Sequence, residues 1–129
     1  MNQLVHCLQT ATRARRAGAS DELVAAALCH DVAKVVSFAN HAAIIAEIMK
    51  PYVGPDTYEI LRTHQEFQWK HAIGAGDVDA RLTYQRAPWY ATACLFSDEW
   101  DQTSFDPSYD TMPLDAFDEL IARTFAQPR

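Results

Sequence analysis

Thiols are scarce in this chain. Its 129 residues include three cysteines, Cys7, Cys29 and Cys94, with no C-x-x-C pair. An odd, scattered set excludes a disulfide framework and a thiolate metal cage. Each cysteine sits among apolar neighbours, so free buried thiols in a reducing compartment are expected. Basic residues are also few, 11 against 17 acidic ones, for a net charge of -6. Phosphate backbones are bound by basic stripes, so nucleic acid is not an expected partner. The single basic cluster, Arg13, Arg15 and Arg16, reads as a solvated helix face. No apolar run approaches the roughly 18 residues of a membrane span. The first 20 residues are polar and carry three arginines, unlike a signal peptide. A cytoplasmic protein with no membrane partner is expected.

Strand signals are missing too: no stretch alternates polar and apolar residues, and no repeat or linker interrupts the chain. The spacing instead predicts an all-α fold, a single domain of about six helices. Leu4, Val5, Leu8, Ala11 and Ala14 recur at threes and fours over 2–17, and Gly18 is a fitting stop. Ser20 is the expected N-cap of a second helix running to about Lys34, with Asp21 and Glu22 in its first turn. That helix is apolar on most sides, which marks it as central and buried. A third helix is predicted over about 39–50, ending at Pro51. A fourth starts near Pro55, a fifth covers about 87–101, and a last amphipathic helix covers about 114–125. Gly74 and Gly76 suggest a loop within 65–80, and SFDPSYDTMP (104–113) reads as a surface loop. Trp69, Trp89 and Tyr90 are expected in the core.

Against this background His30-Asp31 stands out, because it interrupts the apolar run ELVAAALCHDVAK. Burying both side chains is costly unless something satisfies them, and a metal ion satisfies both. His6, His41, His64 and Asp101 fall on other predicted helices. Ligands given by separate helices to a bundle interior are how helical metal sites are built. Four imidazoles and two carboxylates exceed the needs of one tetrahedral ion. They suit two octahedral ions sharing a carboxylate, with iron or manganese favoured over structural zinc. His71 reads as a surface histidine. Asp98 competes with Asp101, since the two are three apart on one helix face.

The order of these residues resembles the HD-domain superfamily of metalloproteins. HDVAK (30–34) is similar to the HD-x-G-K signature of myo-inositol oxygenase, with Ala33 in place of the glycine. NHAAIIAEIMK (40–50), LRTHQEFQWKH (61–71) and EWDQTSF (99–105) resemble its third-histidine, fourth-histidine and final-aspartate segments. Phosphonate-cleaving HD oxygenases share the order, including a W-D pair at the last ligand. The likeness spans roughly residues 3–125. It implies one iron on His6, His30, Asp31 and Asp101, and a second on Asp31, His41 and His64, with Asp31 bridging. It also implies that Lys34 contacts substrate.

The resemblance therefore implies a diiron oxygenase acting on a small, hydroxylated, anionic substrate such as a hydroxyphosphonate or polyol. A metal-dependent phosphohydrolase and a shortened, non-catalytic HD module are the alternatives. Gln65, Gln68 and Lys70, near His64, are further candidates for holding substrate. Met1 stands only five residues before His6, whereas relatives begin with further structure that helps cover the pocket. An open pocket, or a homodimer whose second subunit closes it, is the corresponding expectation.

Overall fold

The computed structural model describes residues 1–68 and 80–129. Trp69, Lys70, His71, Gly74 and Gly76 lie outside the described residues. Among the described residues there are seven α-helices, several short 3-10 turns and no strand.

Helix α1 (Gln3–Arg16) begins at Asn2, whose Oδ1 accepts from Val5 N–H at 2.8 Å. It ends in a Schellman arrangement. Gly18 takes φ +81°, its N–H reaches Arg15 O at 3.0 Å, and Ala19 N–H reaches Ala14 O at 3.1 Å. Helix α2 (Asp21–Cys29) starts at Ser20, whose Oγ accepts from Leu23 N–H. Its residues from Leu23 to Leu28 are all buried, as an all-round apolar helix should be.

Here the structure departs from the predicted helix to Lys34. Helix α2 stops at Cys29, and a 3-10 turn covers Val32–Val35. The cause is local. His30 Nδ1 donates to Ala27 O at 2.6 Å, taking a carbonyl that a continuing helix would use. Asp31 then leaves helical geometry at φ -108°, ψ 3°, and Lys34 N–H bonds Asp31 O at 3.1 Å. The doublet is thus at the buried end of a helix rather than within it.

Helix α3 (His41–Met49) and a 3-10 turn (Lys50–Tyr52) fill the predicted third helix, and α4 (Pro55–Gln68) starts at the proline as expected. A short α5 (Ala80–Thr83), unforeseen in the sequence, follows. The predicted helix over 87–101 is composite. Helix α6 (Tyr90–Leu95) widens into a π-helical stretch, Phe96–Asp101, closed by Gln102 N–H on Ser97 O at 2.9 Å. The last helix is a 3-10 turn (Leu114–Phe117) continuing as α7 (Asp118–Thr124). α1 packs on α2 and on the π-helical stretch, α3 on α4, and α7 on α2. Leu61, Phe67, Phe96, Phe117 and Met49 are buried in the core, with Trp89 among them and Tyr90 packed at its edge.

One surface expectation needs correction. Of the basic cluster only Arg16 is exposed, while Arg13 and Arg15 are half-buried. Arg13 lies 3.9 Å over the Tyr109 ring, and Arg15 lies 4.3 Å over Phe117 while donating to Ala116 O at 2.8 Å. The 104–113 segment is the expected surface loop, mostly exposed, and hydrogen bonds tie it to α1. Gln9 Nε2 donates to Asp106 O at 2.5 Å, and Thr12 Oγ accepts from Met112 N–H at 3.1 Å. Gln9 and Thr12 are buried polar residues on α1, and strapping the tail satisfies them. The three cysteines are free thiols; Cys7 is buried and the other two half-buried. Burial pushes the Cys7 thiol up to about 12 and Cys29 to about 11. No helix among the described residues is long and apolar enough to cross a membrane.

Candidate metal centre

Each of the four histidines is aimed by a backbone carbonyl. Nδ1 of His6 donates to Ser104 O at 2.9 Å, that of His30 to Ala27 O, that of His41 to Phe38 O at 2.7 Å, and that of His64 to Leu61 O at 2.7 Å. A carbonyl only accepts, so every Nδ1 carries its proton. In the neutral ring Nε2 is then a bare lone pair, the tautomer a metal requires. For His30, His41 and His64 the carbonyl lies three residues earlier, so the aim is built into a single turn. His6 relies instead on a carbonyl 98 residues away.

All four Nε2 atoms converge on Asp31. Its Oδ2 lies 3.3 Å from His6 Nε2 and 3.4 Å from His30 Nε2. Its Oδ1 lies 3.2 Å from His41 Nε2 and 3.5 Å from His64 Nε2. Asp101 Oδ1 closes the first group, 3.0 Å from His6 and 3.2 Å from His30. The donors form two sets that share only Asp31: His6, His30, Asp31 and Asp101, and Asp31, His41 and His64. All six residues are buried.

This arrangement is unfavourable without a cation. His6 Nε2 faces His30 Nε2 at 3.3 Å, and His41 Nε2 faces His64 Nε2 at 3.2 Å, so each pair sets two ring nitrogens against one another. Both Asp31 oxygens are buried without a conventional hydrogen bond, and Oδ2 has only the ion pair with Lys34 at 3.1 Å beside the imidazoles. Buried acceptors left unsatisfied are costly. Donor atoms 3.0–3.5 Å apart have the spacing of atoms around a cation at roughly 2.1 Å. The residues present therefore fit two metal ions, one per set.

The electrostatics agree. Burial raises the cost of charging Asp31 and Asp101, yet the surrounding imidazoles hold both carboxyls far below the usual carboxylate range. Burial also opposes charging His6, but Asp101 and Asp31 outweigh it and push the imidazole up to about 9. His30 is raised by the same carboxylates against its burial, whereas burial pulls His41 down.

Asp98, the rival to Asp101, pairs with Arg81 at 2.6 and 3.0 Å and takes no part. The π-helical widening just before Asp101 separates the two carboxylates that a regular helix would keep on one face. Lys34 stands at the rim, its Nζ 3.1 Å from Asp31 Oδ2 and 5.1 Å from the Phe38 ring centre. Gln68 donates to the second oxygen of Asp101 rather than pointing at free space. Gln65 is half-buried and does not line the cavity beside the donors. Ala33 is buried in the core.

Three contributors escaped the sequence reading. Ser104 carries the carbonyl that aims His6. Phe105 stacks on the His6 ring at 4.3 Å, and Phe96 stands edge-on to His30 at 5.6 Å. Ser104 and Phe105 sit in a segment that looks like solvent loop, and only the buried Gln9 and Thr12 hinted that α1 needed a partner there.

A helical fold with an adjacent His-Asp pair at its buried centre, ringed by further histidines and a late aspartate, defines a class. The chain belongs to the HD-domain family, whose model matches residues 4–103. No curated protein matches the chain.

Proposed function

We propose that the protein is a dinuclear-metal enzyme acting on a small anionic substrate. His6, His30, Asp31 and Asp101 hold one ion, and Asp31, His41 and His64 hold the other, with Asp31 bridging. The observation that carries this is the set of four carbonyl-aimed Nε2 atoms gathered on one buried carboxylate. Nitrogen-rich donors with carboxylate and no thiolate favour iron, then manganese.

Beside the donors is a cavity of about 230 Å³, lined by His6, Asp31, Lys34, Gln68, Asp101 and Phe105, with Gln102. That volume lies below the roughly 300–1,000 Å³ of drug-sized sites, so the reacting group is small. Among the described residues, Lys34 is the one lysine or arginine on this wall. Its ammonium holds an anionic or hydroxylated substrate group against the donor set. A triphosphate would call for more cations and bidentate arginine. Among HD activities we favour an oxygenase working on a hydroxylated substrate such as a hydroxyphosphonate or polyol. The bound ions would supply Lewis acidity and, as iron, a route for dioxygen chemistry. Phe105 and Phe96 shield the histidines from water, and Gln68 keeps Asp101 turned inward.

A metal-dependent phosphohydrolase is the second reading. Lys34 favours it, because an ammonium beside a bridging carboxylate also suits a phosphate group. The deciding experiment loads the protein with iron and follows oxygen uptake over a panel of hydroxyphosphonates and polyols. In parallel, manganese-loaded protein is assayed anaerobically for phosphate release. Oxygen uptake matched to substrate loss supports the oxygenase. Phosphate release without oxygen transfers the assignment to the hydrolase. Two bound ions with neither activity would leave a non-catalytic HD module.

A further inference from the structure

A second cavity, about 640 Å³, opens next to the metal centre. Its walls include Leu4 of α1, Leu28 of α2, Val32 and Val35 of the 3-10 turn, and Leu114 and Ile121 from the C-terminal helix. Several of these are exposed: Val35 is 90% accessible, and Leu4, Val32 and Leu114 are each about half accessible. Isolated exposed aliphatics are ordinary, but a contiguous apolar hollow of this kind marks a binding surface.

What fixes the occupant is the junction. The apolar cavity and the small polar one share two lining residues, Asp31 and Lys34. Among the described residues, Lys34 is also the only lysine or arginine on the apolar wall. Its ammonium has three donors, of which one faces Asp31 Oδ2 at 3.1 Å. The volume falls within the range of small-molecule sites. A ligand that complements both cavities has one anionic head and one aliphatic tail. We propose that the substrate is such an amphiphile, its head held at Lys34 beside the metal donors and its tail lying along Leu4, Val32, Val35 and Leu114. This rests on the metal-enzyme reading above and narrows its substrate class.

Calorimetric titration of the manganese-loaded protein with butyl, octyl and dodecyl phosphate tests it. Affinity should rise about fourfold for each added methylene until the groove is full. Leu4→Glu and Leu114→Glu, both at exposed positions, should flatten that dependence. Their manganese stoichiometry serves as the check that the fold survives. A chain-length series that is flat in the unaltered protein overturns the proposal, as does a steep series that neither variant changes. A flat series from a dimer that Leu4→Glu dissociates would assign the groove to an interface between copies. Failure of the underlying reading looks different: the series stays steep and sensitive to both variants, but no metal binds and nothing turns over.

Discussion

The two halves of the candidate metal centre are built alike but charged differently. His6 and His30 face two carboxylates, Asp31 and Asp101, whereas His41 and His64 face only the other oxygen of Asp31. The imbalance is visible in the imidazoles: the carboxylates push His6 up, and burial pulls His41 down. Carboxylate charge and donor count, four residues against three, both separate the two positions. The first should take a cation more tightly, and the second should depend on what Asp31 has left to give.

Removing the shared residue erases the comparison and should have the largest effect. Asp31→Ala is expected to lose both ions. Because each ion present at about 100 times its Kd contributes about 2.7 kcal/mol, the loss of both should lower Tm by about 20 °C in metal-containing buffer. Elemental analysis and a thermal melt read this directly, and a variant that kept both ions would refute the bridge. Next in size are the one-sided variants. Asp101→Ala should abolish the tighter calorimetric step and leave the weaker one, while His64→Ala should do the reverse. Equal damage to both steps from either variant would mean that the halves are not separable.

Proton release sharpens the contrast further. In the metal-free protein His6 has a folded value near 9, above its ordinary 6.5. Its protonation therefore stabilises the metal-free fold fully below pH 6.5, and that contribution is lost as pH rises through 9. A cation must displace this proton, so affinity at the first position should climb with pH across that window, by up to about tenfold per unit. His41, shifted the other way, gives the second position no such slope. Titrations in buffers of different ionisation enthalpy would count the protons released. The smallest expected effect comes from Gln68→Ala, which frees the outer oxygen of Asp101. It should weaken the first ion by about tenfold and spare the second.

The sequence made the donor set readable because histidine and aspartate are conspicuous inside apolar helices. His30-Asp31 within ELVAAALCHDVAK could be seen without coordinates, and four further donors lay on other predicted helices. The devices that aim them were not readable. The break after Cys29 depends on a side chain capturing Ala27 O, and the widened turn before Asp101 depends on packing. Helical periodicity carries neither. The arginines of α1 looked solvated because their partners, Tyr109 and Phe117, lie about a hundred residues away and leave no local trace. The same distance hid Ser104.

That distance has a practical consequence. The family match stops at residue 103, one position short of the carbonyl that orients His6. Truncating there would sever the Gln9 and Thr12 tethers and remove Phe105 from the imidazole face. The remaining fragment would keep all six donors and still mis-set one of them. For this protein the working unit is larger than its family signature, and the C-terminal strap belongs to the candidate metal centre as much as the helices do.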